Sequence, residues 1–260
     1  MKRLLKSVAV IVLLGIVLVL GWRIIPIHVH DGFESSNLSW MHWSRGRFVK
    51  GAVVTEEEFV RSGHRALAIT VSDGDRYEAA SDSGAATERD ELMESWWLYS
   101  HMGHIYVYSF SLYLTKDFPL TSQRLVLAQW RQVCEARRCR PDYPILAIRY
   151  DAGRIKVNRK DEKGTELLYQ GDEDIRGRWL DFRFVTRFDS TSSGSVDATL
   201  NGQTIVHYRG ATTFQPAHGY PEHGLVYFKT GLYRDALGEP PWTIYVDEYR
   251  KDECSENGCR

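Results

Sequence analysis

The sequence predicts an all-β protein, a jelly roll or related β-sandwich with one concave face as a groove, preceded by an N-terminal transmembrane helix. Three observations predict it. Past residue 25 no long run keeps a helical period. Short alternating or apolar runs recur between turn signals, as in stacked antiparallel sheets. Aromatic residues make up 12% of the chain, and large rings favour pleated, half-buried surfaces.

Residues 1–25 come first. Lys2, Arg3 and Lys6 precede an uncharged run from Ser7 to Trp22, followed by Arg23. At 16 residues the run is short of the about 20 that a span needs. Lys6 and Arg23 can snorkel, and Ile24 and Ile25 lengthen the apolar stretch. No A-x-A pattern follows, so an uncleaved signal-anchor is expected, with everything after Arg23 outside the cytoplasm, periplasmic or extracellular. The alternative is a cleaved signal peptide and a secreted protein. A buried core helix is disfavoured, because Val8 to Leu20 offers no polar face.

One β domain is expected over residues 31–252, without linker, repeat or low-complexity tract. Its candidate strands are Ala66–Val71, Ile105–Leu114, Arg124–Gln132, Ile145–Tyr150, Arg154–Asn158, Trp179–Phe188, Val196–Leu200, Thr204–Tyr208, Leu225–Lys229 and Thr243–Tyr249. Asn201-Gly202 between two of them is a hairpin signal, since both turn residues must accept positive φ. Asp151-Ala152-Gly153 reads as a second tight turn.

Residues 253–260 form a cysteine-containing tail. The Cys134/Cys139 and Cys254/Cys259 pairs share one spacing. Outside the cytoplasm, two local disulfides are expected. A four-thiolate zinc site is the alternative, although structural zinc pairs are usually closer. No metal or cofactor is demanded; structural calcium is compatible with the sequence.

Composition excludes some classes. Apolar residues at 43% and charged residues at 26% exclude a disordered or collagen-like chain. A net charge of −1, from 33 basic against 34 acidic residues, gives no global attraction to nucleic acid. Nothing points to an obligate oligomer, so a monomer is expected. Aromatic richness also suits sugar binding, where flat rings stack on pyranose faces.

Three stretches carry candidate chemistry: Thr87-Glu88-Arg89-Asp90-Glu91-Leu92, Leu127-Ala128-Gln129-Trp130-Arg131-Gln132, and Tyr227-Phe228-Lys229-Thr230-Gly231-Leu232-Tyr233. Period-two geometry places Gln129 and Arg131 on one strand face with Trp130 opposite. It places Tyr227 and Lys229 together with Phe228 opposite. Gly231 permits a bend or bulge that aims Tyr233.

The third stretch resembles the YFKxGxY motif of jelly-roll polysaccharide lyases of the alginate-lyase and glucuronan-lyase type. The second is similar to their Q-x-H strand and the first to their R-x-E-L strand. The wider pattern resembles the heparin-lyase-I-like polysaccharide lyases over nearly the whole exported region, including Tyr106–Phe118, Trp179–Thr213 and Val246-Asp247-Glu248. The resemblance implies β-elimination on an acidic, uronate-containing polysaccharide. Removing the C5 proton requires the neighbouring carboxylate to be neutralised. Gln129, Arg89 and Arg131 are suited to that, and Arg can grip a carboxylate bidentately. Tyr233 is the candidate base and acid, with Lys229 and Arg131 as cations that would stabilise its phenolate. Lys229, Tyr227 and Arg149 are the candidate substrate-binding residues.

One departure stands out: the family motif often has His where this chain has Arg131. Arg cannot act as a base, so Tyr233 or another residue would carry the proton. His42, His101, His104 and His207 are substitutes that no spacing selects. A non-catalytic glycan-binding module on the same scaffold is the runner-up. A paired-carboxylate hydrolase is disfavoured, because its E-x-D-x-E or E-x-D-x-x-E spacing is not met from Glu88: Leu92 and Met93 occupy the places the last acid needs. A structural envelope protein is the remaining class.

Each site residue also has a plain alternative. Arg89 would be a solvated charge in an acidic loop, Lys229 an edge-strand lysine, and Tyr233 a core tyrosine. Arg149 fits a groove or a rim. Arg137, Arg138 and Arg140 fit a solvated loop or an anion subsite. Trp40, Trp43, Trp96 and Trp97 are expected in the core rather than as sugar platforms.

Overall fold

The computed structural model describes residues 26–44, 48–76, 87–134, 139 and 143–254. The expected N-terminal helix therefore lies outside the described residues, and no helix among those described is long and apolar enough to cross a membrane. Arg137, Arg138, Arg140 and Cys259 also lie outside them.

Among the described residues, sixteen strands form two sheets. The first half of the chain supplies β1 (His28–Asp31), β2 (Trp43–Ser44), β3 (Val53–Glu56), β4 (Ala66–Val71), β5 (Thr87–Glu94), β6 (Ser100–His101), β7 (Ile105–Tyr113) and β8 (Leu125–Gln132). The second half supplies β9 (Leu146–Asp151), β10 (Arg154–Asp161), β11 (Gly164–Gln170), β12 (Trp179–Arg187), β13 (Ser195–Leu200), β14 (Gln203–Arg209), β15 (Leu225–Asp235) and β16 (Trp242–Cys254). One sheet runs β14-β13-β12-β7-β16-β4-β3, with β1 also on β16. The other runs β11-β10-β9-β8-β15-β5-β2, with β6 also on β15. The all-β sandwich expected from the sequence is present, and each of the ten expected strands coincides with an observed one, four of them (those reaching Leu114, Arg124, Ile145 and Phe188) overrunning it by one residue.

Between the sheets lies an aromatic core. Trp130 of β8 packs against Phe184 of β12 at 4.8 Å and Phe228 of β15 at 5.0 Å. Alternation turns these rings inward and leaves their sequence neighbours on the outer face. Both expected turns form. Ala152 and Gly153 have φ of 47° and 86°, and Asn201 and Gly202 have 49° and 80°, the left-handed pair that tight hairpins require.

Two buried ion pairs also sit between the sheets. Arg234 Nε donates to Glu88 at 2.7 Å and stacks over Trp242. Lys251 Nζ donates to Glu94 at 2.9 Å, and Glu94 also accepts from the Tyr249 hydroxyl at 2.6 Å. Glu88 and Glu94 of β5 are thus neutralised by β15 and β16, whereas Asp90 between them accepts from the Val49 backbone N–H.

Several alternatives are corrected. Thr87–Glu94 is a buried strand, not a solvated acidic loop. Lys229 lies on β15, flanked by β8 and β5, so it does not mark an edge. Trp43 is buried, as expected, but Trp40 and Trp96 are each 62% exposed. Their neighbour Trp97 donates its Nε1 hydrogen to the Met41 carbonyl at 2.7 Å. Trp40 and Trp96 are therefore not core, whereas Trp97 is partly buried and packs against it. Cys134 and Cys139 form a disulfide, which removes two of the thiolates a zinc site would need. No His, Cys, Asp or Glu cluster able to hold a metal occurs among the described residues.

Candidate active site

The outer face of the second sheet gathers the sequence-predicted residues. β5 contributes Arg89 and Glu91, β15 contributes Tyr227, Lys229 and Tyr233, β8 contributes Gln129 and Arg131, and β9 contributes Arg149. Register fixes their neighbours. Lys229 lies opposite Gln129 and Tyr227 opposite Arg131. Tyr233 lies opposite Arg89 on one side and Val126 on the other. Val126 in turn faces Arg149.

Two bulges produce this convergence. β15 shifts register against β8 between Thr230 and Tyr233, so one extra residue enters β15 there. Gly231 makes the shift possible. Its φ is 145°, and a Cβ would fall 2.3 Å from the Asp90 carbonyl oxygen. β8 shifts register against β9 between Val126 and Ala128. That brings Val126 and Arg124 onto the face already held by Gln129 and Arg131.

Tyr233 is half-buried on this face and does not point into the core. The Arg89 guanidinium lies 4.4 Å from its ring centroid and the Arg124 guanidinium 5.0 Å. Arg124 is also held by an ion pair to Asp235. Two cations thus flank the Tyr233 ring. Lower on the face, Tyr227 stacks on Tyr99 at 5.1 Å.

Beneath them lies a buried polar cluster. Gln129, Glu91 and Lys229 are each 1–2% exposed. Lys229 Nζ donates to Glu91 Oε2 at 3.0 Å, and Gln129 Nε2 donates to Glu91 Oε1. The Gln129 Oε1 atom is buried with no partner among the described residues. Burial works against charge on Glu91, but Lys229 and Arg89 hold its carboxyl below the ordinary range. Burial, reinforced by Arg131 and Arg89, brings the Lys229 ammonium down to about 8 despite Glu91. The cluster is a buried ion pair with the Arg89 and Arg131 charges acting on it.

Tyr233, Gln129, Arg89, Arg131, Lys229, Tyr227 and Arg149 therefore share one face on four adjacent strands. The substitute histidines do not supply an evident replacement base. His42 is 2.9 Å from Asp31, His104 is 2.5 Å from Glu253 and His207 is 2.7 Å from Asp197. His101 lies exposed at the edge of β6. Sequence reasoning gave no role to Glu91 or Arg124. Glu91 was visible inside the first motif. Arg124 was hidden, because strict alternation from Gln129 assigns it to the core face.

The arrangement can hold a carboxylate, stabilise developing negative charge and present a phenol. The sequence model of the family described as polysaccharide lyase matches residues 33–250. No curated sequence matches the chain significantly. Among solved structures, the endo-β-1,4-glucuronan lyase from the fungus Trichoderma reesei superposes with a TM-score of 0.66 at 14% identity, covering 88% of this chain and 95% of that one. The family 7 alginate lyase AlgAT5 gives 0.54 at 14% identity, covering 80% and 84%. The cellulose induced protein Cip1 gives 0.52 at 14% identity, covering 86% and 96%. At these identities the structural likeness establishes the fold.

Proposed function

The chain belongs to the polysaccharide lyase family, and from that premise we propose that it cleaves an acidic, uronate-containing polysaccharide by β-elimination. Gln129, Arg89 and Arg131 donate to the uronate carboxylate, so that charge leaving C5 spreads into it. Tyr233 takes the C5 proton as its phenolate. The electron pair of the C5–H bond becomes the C4–C5 double bond, the C4–O4 bond breaks, and the departing O4 takes a proton back from the phenol. Lys229 neutralises Glu91, while Tyr227 and Arg149 contact flanking sugar.

The observation that carries this proposal is Tyr233 lying between Arg89 and Arg124 on the face that also bears Gln129. The test is incubation with alginate, glucuronan and heparin-like polymers, followed by ultraviolet absorbance and product mass. Unsaturated ends, 18 mass units below hydrolytic products, are expected from at least one (about 18 for the water not added). Reducing ends without unsaturation would replace the lyase with a hydrolase.

Arg131 supports a second reading, a glycan-binding module without turnover. There, acidic oligosaccharides bind the intact chain and no polymer is shortened.

We further propose that residues 1–25 anchor the chain as a monomer, with its β domain outside the cytoplasm. The basic residues ahead of the apolar run support the orientation. Protease protection in cells separates an anchored from a released domain.

A further inference from the structure

The outer face of the first sheet, that of β7, β12 and β16, is separated from the Tyr233 cluster by the aromatic core. It holds an open cavity of about 420 Å³, lined by Arg61, Ser109, Ser111, Asp181, Glu248 and Arg250. Register sets its floor. Ser111 lies opposite Asp181 on β12 and Asp247 on β16, and Ser109 lies opposite Arg250. Phe110 and Phe182 are in the core, so alternation turns both serines and Asp181 outward.

The walls are fixed in place. Buried Asp247 accepts from the Arg61 and Ser62 backbone N–H groups at 2.9 and 3.2 Å. Phe59 packs on Tyr113 at 5.2 Å and on Tyr245 at 4.5 Å. These contacts hold the segment from Phe59 to Ser62 against the sheet. β16 shifts register against β7 between Asp247 and Arg250, and Glu248 sits in that bulge with a φ of 54°, a left-handed value that is costly for a residue with a side chain. Its carboxylate accepts from the Ser62 hydroxyl, and from Arg250 at 3.1 Å. Strained backbone that aims a carboxylate into a cavity points to use rather than to packing.

The charges of the lining cancel, with Arg61 and Arg250 against Asp181 and Glu248. Arg61 grips Asp181 through Nε and Nη2, each at 2.9 Å, and Ser111 donates to the same carboxylate at 2.7 Å. Arg61 holds the Asp181 carboxyl below its ordinary range, and Ser62 does the same for Glu248. The Ser109 hydroxyl takes no hydrogen bond among the described residues. A balanced lining gives an ionised ligand no net attraction, unlike the cationic face that bears Tyr233. Guanidinium N–H groups next to carboxylate oxygens instead offer donors and acceptors side by side, as the adjacent hydroxyls of a sugar require. Trp179, two residues from Asp181 on the same face of β12, is partly exposed and packs on Tyr113 at 5.4 Å. Its indole adds a flat apolar surface near the polar cavity, and a pyranose has a hydroxylated edge and a C–H face to match the two.

We propose that this cavity binds an uncharged pyranose through two adjacent hydroxyls, making it a neutral-glycan site on the sheet opposite Tyr233. The protein then holds a neutral glycan on one outer face and presents its arginine-rich face on the other. The site stands independently of the lyase reading.

The test titrates the full chain, kept in detergent, with cellohexaose, xylohexaose and mannohexaose, read by calorimetry and by saturation transfer to the sugar protons. At least one hexamer should bind, and a pentauronate from alginate should not displace it. Ser109→Tyr fills the cavity from a strand position that accepts large rings, and it should abolish binding. Ser109→Ala should weaken it about fivefold, through one lost neutral hydrogen bond, and Trp179→Ala roughly 10-fold. Thermal unfolding of Ser109→Tyr and Ser109→Ala should match the parent. Binding by none of the three hexamers overturns the proposal, as does binding that survives Ser109→Tyr or displacement by the pentauronate. Loss of binding in Tyr227→Ala, with retention in Ser109→Tyr, would place the sugar on the Tyr233 face and overturn it as well.

Discussion

Glu91 and Lys229 meet at 3.0 Å with both side chains only 3% exposed, directly beneath the face that carries Tyr233. The pair is enclosed by protein on neighbouring strands, so neither charge can recruit bulk water if the other is removed. Lys229→Met should therefore cost about 3–5 kcal/mol, the penalty of a stranded buried charge. The double variant Glu91→Gln with Lys229→Met should recover a large part of that loss. Denaturant unfolding of the two single variants and the double variant checks it; additive losses would mean that the two side chains do not interact.

The same pair sets a pH dependence. The Lys229 ammonium falls from its ordinary 10.5 to about 8, chiefly through burial. Between those values the unfolded chain binds the extra proton, so this group makes stability rise with pH across that window. Binding should run the other way. Above about 8 the proton leaves, Glu91 is no longer offset, and a negative carboxylate faces an acidic ligand. Affinity for an oligouronate should fall with a midpoint near 8, and Lys229→Arg should move the fall to higher pH. A flat profile to pH 10 would remove Lys229 from the electrostatics of the site. Glu91 has the opposite sign: its lowered carboxyl contributes stability above the ordinary carboxylate range, and this is lost as pH falls through the folded value.

Much of this was legible in the sequence because alternation is a local rule. Trp130 and Phe228 point inward and Gln129 and Lys229 outward, as period two requires. The rule failed where the backbone departs from it. Arg124 reaches Tyr233 only because β8 gains a bulge near Leu127, and no sequence pattern marks that bulge. Thr87–Glu94 has no hydrophobic alternation, because its inward Glu88 and Glu94 find their partners Arg234 and Lys251 on strands more than a hundred residues away. Trp40 and Trp96 were misplaced because ring size says nothing of which side of a strand end a loop leaves. β11, exposed at five of its seven residues, carries too little apolar pattern to be seen.

Arg89 and Arg124 flank one ring but differ in their surroundings. Arg89 is buried beside Glu91, whereas Arg124 is one-third exposed and already paired to Asp235. If both act on Tyr233 only as nearby charge, Arg89→Met should reduce turnover more than Arg124→Met, because screening weakens the exposed charge. Equal effects would assign the arginines to substrate contact instead.

Tyr233→Phe removes one oxygen and keeps the ring between its two guanidiniums. Packing and fold should change little. Turnover should fall by roughly 10²–10⁴, the usual contribution of a positioned proton carrier. Oligouronate affinity should stay within a few-fold of the parent. Near-normal turnover would place the proton transfer elsewhere. Unchanged binding with no turnover in either protein would favour the binding module that Arg131 already brings into view.

Gly231 ties the fold to the site. Its φ of 145° strains any L side chain, and an added Cβ would meet the Asp90 carbonyl oxygen at 2.3 Å and Glu91 Cα at 2.8 Å. Both obstacles are backbone, so no rotamer change relieves them. β15 must then separate from β5 at the point where Tyr233, two residues on, pairs with Arg89. Gly231→Ala should cost about 3 kcal/mol or more, since it combines an unfavourable φ with a core clash. It should also lower turnover beyond what the lost stability explains, because the bulge that aims the phenol is the element displaced. Thermal unfolding and single-turnover rates at a temperature where the variant is fully folded separate the two effects. A variant that melts with the parent would show that the strand pair can yield at this position, and that the bulge does not depend on glycine.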